Sequence, residues 1–212
     1  MTATRERLIP TASDQEGSIR AYTDVTSTSA ISIRADWLRT NVDLLSDDVR
    51  SLQDDTRATD LSSRAHAKAT TSDVPALLEE LADRRGMSWT DIAAAAHVSV
   101  SAIRKWRQGN SATAESRLAL ARIAAFLDVL LDKGVPDPAQ WMEMPLPLPA
   151  GYSIRPIDLY SVDCAEGILD LVEPVDAASV LDRITPAWRE QRSDFEVFTD
   201  TDGQRSIRLR DV

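Results

Sequence analysis

Apolar residues recur along most of this chain with the spacing of helices. Leu38, Val42, Leu45, Val49 and Leu52 follow one another at steps of three and four, with Trp37 beside them, while Asp47, Asp48 and Arg50 lie off that stripe. The pattern predicts an amphipathic helix over 35–53. Such a helix must cover its stripe with the rest of the chain, a second copy or a partner. Leu77, Leu78 and Leu81 predict another helix over 73–85, with Asp73 or a neighbour as cap, Pro75 in the first turn and Gly86 as stop. Leu118, Ile123, Phe126, Leu127, Leu130 and Leu131 predict a long helix from Ala114 to Lys133, entered through the turn Asn110–Thr113 and ended by Gly134. Val180, Leu181 and Ile184 give a shorter one, broken near Pro186 and followed by Trp188. Only at the end does the period become two. Phe195–Phe198 and Ser206–Leu209 alternate around Asp202-Gly203, the pattern of a hairpin, with Arg205, Arg208 and Arg210 along it.

Between these elements the chain is polar or proline-rich. Residues 1–30 are rich in Ser, Thr and Asp and read as a mobile arm, with a short strand at 21–25 or 30–33. Residues 54–72 read as a polar linker. Residues 134–150 hold five of the ten prolines, so a turn around Trp141 and then an extended segment are expected. The division is an N-terminal arm, helix and linker (1–72), a central helical domain (73–133) and a C-terminal module (134–212). The fold class is mainly α with a small terminal β-hairpin.

The stretch Met87–Gly109 carries the most information. Ser88 can cap a helix, with Asp91 three residues on in a capping-box variant, and Ile92, Ala93 and Ala96 give that helix a small apolar face. A small residue at Ala93 permits a close helix crossing. His97-Val98 is a turn, and Ser99 caps a second helix that Gly109 stops. Ile103 and Trp106 face inward there. Ser101, Arg104, Lys105 and Gln108 fall on the opposite face, with Val100 at its edge. Hydroxyl, cationic and amide groups in front of apolar anchors suit base edges and phosphates. Ser99, Val100, Ser101, Arg104, Lys105 and Gln108 are therefore the candidate DNA-binding residues.

These residues resemble the helix-turn-helix of λ-repressor/Cro-type (XRE-type) regulators, at the spacing of Ala93, His97, Val98-Ser99, Ile103, Trp106 and Gly109. The family usually has Gly in the turn, where this chain has His97. Further on, Trp141, Pro145, Gly151, Pro156-Ile157-Asp158-Leu159 and Glu166-Gly167 are similar to the C-terminal domain of Xre/MbcA/ParS-type antitoxins, with Tyr160 where Leu is usual. The first resemblance implies a λ-repressor-like domain that binds double-stranded DNA as a homodimer and represses transcription. The second implies a cognate toxin as partner, bound after residue 134 or so. The competing expectation is a protein-interaction module that keeps the scaffold without specific DNA binding.

Charge sharpens this reading. The formal net charge is −10. It divides into −3 over 1–73, +1 over 74–133 and −8 over 134–212, and Arg84–Gly109 holds five bases against Asp91 alone. An acidic protein with one basic face presents only that face to DNA. The remaining chemistry is sparse. The seven glycines stand at least 16 residues apart, so no phosphate-binding glycine loop is present, and His66 and His97 lie 31 apart with no Cys or His cluster. No catalytic residues, metal or cofactor are expected. A lone cysteine, Cys164, fits a reducing cytoplasm, and Leu118–Leu131 is broken by Arg122 and Asp128, so no membrane span is expected.

Overall fold

The computed structural model describes residues 28–160, 164–199 and 202–209. The N-terminal arm to residue 27, the strand expected at 21–25 and Arg210 lie outside them. Two units divide the chain, one up to Leu52 and one from Gln53 onward. The described architecture is mainly helical with one two-stranded sheet.

The first described element, α1, runs from Thr28 to Thr71. Its part in the first unit shows short-range pairing: Arg39 with Asp36 at 3.2 Å and Arg50 with Asp47 at 3.5 Å. Residues 30–33, one of the two places expected to form a strand, are helical instead. Ile31 stands seven residues before Leu38, so it continues the helical stripe.

The segment 54–72 is not a linker; to Thr71 it is the second part of α1. Its docking stripe is mostly cationic, which is why apolar periodicity does not reveal it. Arg57, Leu61, Arg64, Ala65 and Lys68 follow at helical steps, and only Leu61 and Ala65 are buried. The three cations meet carboxylates on other elements. Arg57 pairs with Asp170 at 2.5 Å, Arg64 with Asp132 at 2.6 Å, and Lys68 with Glu80 at 2.6 Å and Asp128 at 3.0 Å. Asp128 also takes Arg85. The pairs of Arg57, Lys68 and Arg85 are half-buried, so they are screened less than surface pairs, whereas Arg64–Asp132 is exposed.

Helix α2 (Val74–Glu79) starts on Asp73, whose carboxylate accepts from the Ala76 N–H at 2.9 Å, and widens into a π-helical turn over Glu80–Arg84. After it come α3 (Trp89–Ala95) and α4 (Val100–Arg107). Helix α5 (Ala114–Asp132) is the centre of the unit, with Leu120, Ala121, Ile123 to Leu127, Val129 and Leu130 all buried. Leu131, expected in its apolar surface, is 38% exposed. It sits in the last turn beside exposed Asp132, while its neighbour Leu130 keeps the buried side.

The C-terminal residues join the same core. Ala139 and Met142 of α6 (Pro138–Glu143) are buried. The proline-rich stretch then turns back on itself, with the Leu146 N–H donating to the Ile154 carbonyl at 2.8 Å. Helix α7 (Pro156–Leu159) leads to Tyr160, whose ring meets Phe126 edge-on at 5.1 Å. Helices α8 (Ala165–Ile168), extended by a 3-10 turn over Leu169–Val172, and α9 (Ala177–Ile184) follow. They meet at Gly167, where a Cβ would collide with Ile184. Trp188 is buried and donates from Nε1 to Asp182 at 2.8 Å. One apolar cluster thus runs from Leu61 to Trp188.

The terminal hairpin pairs β1 (Phe195–Thr199) with β2 (Arg205–Leu209) in antiparallel register, Val197 opposite Ile207. Strand alternation puts Arg205 and Arg208 on opposite faces. Arg208 is matched to Glu196 at 2.7 Å. The other face carries Phe195, Val197, Ile207 and Leu209, each more than half exposed.

Asp170 sits between Arg57 and Arg183. Burial alone would raise its pKa, but hydrogen bonds and attraction from the two arginines outweigh it and hold the carboxyl below its usual range. A depressed carboxylate stabilises the fold above its unfolded pKa of about 4 and loses that contribution as the pH falls. Asp170→Asn is therefore expected to cost about 1–2 kcal/mol at neutral pH. The gap to wild type should close as the pH falls below about 4. Urea unfolding at several pH values checks this, and a gap that persists in acid contradicts it.

Candidate nucleic-acid interface

The candidate residues sit on α4, and its neighbour α3 fixes how they are presented. Helix α3 begins at Ser88, whose hydroxyl accepts from the Asp91 N–H at 3.1 Å and donates to the Asp91 carboxylate at 2.5 Å. Ile92, Ala93, Ala95 and Ala96 are buried, and Ala93 leaves room for a close crossing.

The end of α3 is closed by a paired motif. The Val98 N–H donates to the Ala93 carbonyl at 2.9 Å and the His97 N–H to the Ala94 carbonyl at 3.1 Å. This is a Schellman closure, which needs a left-handed residue between helix and exit. His97 fills that place with φ +53°, the sole non-glycine described with positive φ. Helix α4 ends in the same way. Asn110 and Gly109 donate to Lys105 and Trp106, and Gly109 holds φ +92°. Identical hydrogen bonding thus rests on Gly once and on His once.

Ser99 caps α4 by accepting from the Ala102 N–H at 3.1 Å, and its hydroxyl lies 2.8 Å from that of Ser101. Ile103 and Trp106 are buried at 1% and 8% exposure. Those two anchors turn the opposite side outward. Ser99, Val100, Ser101, Arg104, Lys105 and Gln108 are all exposed. Val100, Ser101, Arg104 and Lys105 lie on the helix itself, which is eight residues long, and Ser99 is its N-cap. Gln108 stands at the C-cap, just past the last helical residue.

Two cations of this face stand without a carboxylate partner, as Arg117, Arg122, Arg192 and Arg205 do elsewhere among the described residues. Arg57, Arg64, Lys68 and Arg85 are all paired with carboxylates. Among the described residues, Arg104 and Lys105 have no such partner. Arg107 is occupied differently, its guanidinium 4.3 Å from the centre of the Trp89 ring. That contact ties the end of α4 to the start of α3 and was not readable from either residue alone. The signal was an arginine one place past Trp106, pointing off the buried side. The negative charge of the pair lies on α3. Glu143 neighbours Asp91, and burial followed by the hydrogen bond to Asp91 pushes the Glu143 carboxyl above its usual range.

Elsewhere on the second unit the chemistry is thin. A cavity of about 190 Å³ is lined by Leu61, Arg122, Phe126 and Tyr160 among others. Burial drives the Tyr160 phenol well above its ordinary pKa, so it stays protonated. Among the described residues, no three His, Cys, Asp or Glu side chains converge on a metal-sized site. No described helix is long and apolar enough to cross a membrane.

Replacing His97 by Gly is expected to stabilise the protein by about 0.5–1 kcal/mol. The left-handed conformation costs an L-residue about 1–2 kcal/mol, and glycine gives part of that back through unfolded-state entropy. Thermal unfolding of H97G against wild type measures the difference, and a lower midpoint contradicts the assignment.

Compared with models of known protein families, with curated proteins and with solved structures, the chain matches none.

Proposed function

We propose that this chain is a cytoplasmic, sequence-specific DNA-binding repressor of the XRE type, and that α3 and α4 form its helix-turn-helix. In this reading it is a binding protein, not an enzyme. One observation carries it: α4 and its two caps expose Ser99, Val100, Ser101, Arg104, Lys105 and Gln108, with two cations that no carboxylate neutralises.

Each group has a physical role. Arg104 is the first contact, able to present its planar fork to guanine O6 and N7 or to a phosphate. Lys105 and Gln108 extend that reach. Ser99 and Ser101 stand at the helix start, where hydroxyls and unpaired N–H groups can hold a phosphate. Ile103 and Trp106 anchor the helix from behind. Arg107 is a positioning residue, held over Trp89. Two copies would meet a two-fold site with half-sites one helical turn apart.

The antitoxin part of the reading places toxin binding after residue 134. The similarity of Trp141–Val172 to antitoxin C-terminal domains supports it, as does the hairpin face of Phe195, Val197, Ile207 and Leu209, each more than half exposed. The same apolar face and the −8 charge of that region favour the alternative, an interaction module that does not bind specific DNA.

Selection from random duplex DNA at two salt concentrations tests the choice. A palindromic motif is expected, with affinity falling as salt rises. The R104A/K105A double variant should weaken that binding by roughly 30- to 1,000-fold and flatten the salt dependence by one or two phosphate equivalents. Its helical signal and oligomeric state should stay unchanged. Wild-type affinity in the double variant would remove α4 from the role, and no enriched motif would leave the interaction-module reading.

A further inference from the structure

The first part of α1 carries a longer pattern than one amphipathic stripe. Ile31, Leu38, Leu45 and Leu52 recur every seven residues, and Ala35, Val42 and Val49 recur every seven between them. The alternating steps of four and three are a heptad seam, with Ala or Val at one core position and Ile or Leu at the other. The six large residues are exposed at 61% (Ile31), 48% (Leu38), 60% (Val42), 64% (Leu45), 54% (Val49) and 67% (Leu52).

We propose that residues 31–52 form an antiparallel two-stranded coiled coil with the same segment of a second copy. It is the two-fold pairing that the DNA-binding reading calls for, but it stands on this helix alone.

The area is sufficient. The six side chains expose on the order of 700 Å² per helix, so a pair buries up to about 1,400 Å², at the lower end of the range of about 1,200–2,000 Å² for stable interfaces. A seam of period 3.5 is covered by another helix, since only a supercoiled partner follows it over three heptads.

Packing and charge select a second copy and its direction. With the two-fold axis between residues 43 and 44, Ala35 meets Leu52 of the partner, Leu38 meets Val49 and Val42 meets Leu45. These three layers each pair a smaller side chain with a larger one, while Ile31 falls opposite Thr56 of the second copy, outside the apolar seam. Parallel, in-register pairing would instead place Ala35 against Ala35 and leave a gap. It would also set Arg34 beside Arg39 of the other copy, a like-charge contact. The antiparallel arrangement sets Arg39 beside Ser46 and Asn41 beside Asp48. Residues 28–52 carry three arginines against four aspartates, so two copies repel little.

Sedimentation of the full chain at micromolar concentration, without DNA, is expected to give a dimer. L38E/L45E should weaken dimerisation by more than about 100-fold. The thermal transition of the second unit should stay in place, which separates lost pairing from lost folding. Direction is read by cross-linking in a Cys164→Ser background. L38C/V49C should oxidise to a covalent dimer. L38C alone should not, because the two Leu38 positions lie about 16 Å apart along the axis. A monomeric wild type, a dimer that survives L38E/L45E, or a covalent dimer from L38C alone would each overturn the proposal. A dimer that selects no DNA leaves the pairing standing and removes the DNA reading, and a monomer that selects DNA does the reverse.

Discussion

From Leu120 to Leu130 helix α5 is buried on nearly all sides, and the second unit is arranged to cover it. Nine of its side chains are buried, including the run Ile123 to Leu127. An α-helix that is apolar nearly all round needs neighbours on several sides. Leu77, Leu78 and Leu81 come from before it in sequence, Met142 and Leu169 from after it, all in one cluster. Among the buried turns of α5, Asp128 is the carboxylate that stands beside Leu127 and Val129. Arg85 and Lys68 converge on it from two other segments. A half-buried carboxylate left alone there would cost several kcal/mol, so these pairs are part of what makes the helix buriable.

The same pairs explain which parts of the fold were legible in the sequence. Caps and stops were readable because they are local: Asp73, Ser88, Ser99 and Thr113 each bond to an N–H three residues away. The hairpin was readable because a period of two and an Asp-Gly turn lie within fifteen residues of each other. Residues 54–71 were not readable as helix. Their docking side is built from Arg57, Arg64 and Lys68, and nothing local says that Asp170, Asp132 and Glu80 wait at the right places. A cationic stripe with distant carboxylates looks, in sequence, like an ordinary polar linker.

The candidate interface was legible for the same local reason. Ile103 and Trp106 fix the phase of α4, and once the buried side is known the exposed side follows from 100° per residue. The Trp89–Arg107 contact joins two helices across a turn, which periodicity within either helix does not encode. His97 lies between these cases. The need for a left-handed residue follows from the turn, but the sequence offers a residue that meets it under strain. Two helices that close with the same pair of hydrogen bonds, one through Gly109 and one through His97, show that the geometry is set by the crossing and not by the residue that happens to serve it.

The two units differ in what holds them. The second has a core of its own that runs from Leu61 to Trp188. The described part of the first is a helix whose large apolar side chains are half to two-thirds exposed. Salt bridges such as Arg39–Asp36 add only a few tenths of a kcal/mol to a helix of that kind. Most helical stability in proteins comes from packing an amphipathic face rather than from propensity. Burying the seam would add stability to residues 31–52, which couples helix formation to association. Ordering and pairing become one equilibrium that depends on protein concentration. Under the proposed DNA-binding reading, the second half-site contact would be gained only above the concentration at which the seam closes. Occupancy of a two-fold site would then rise more steeply than the amount of protein.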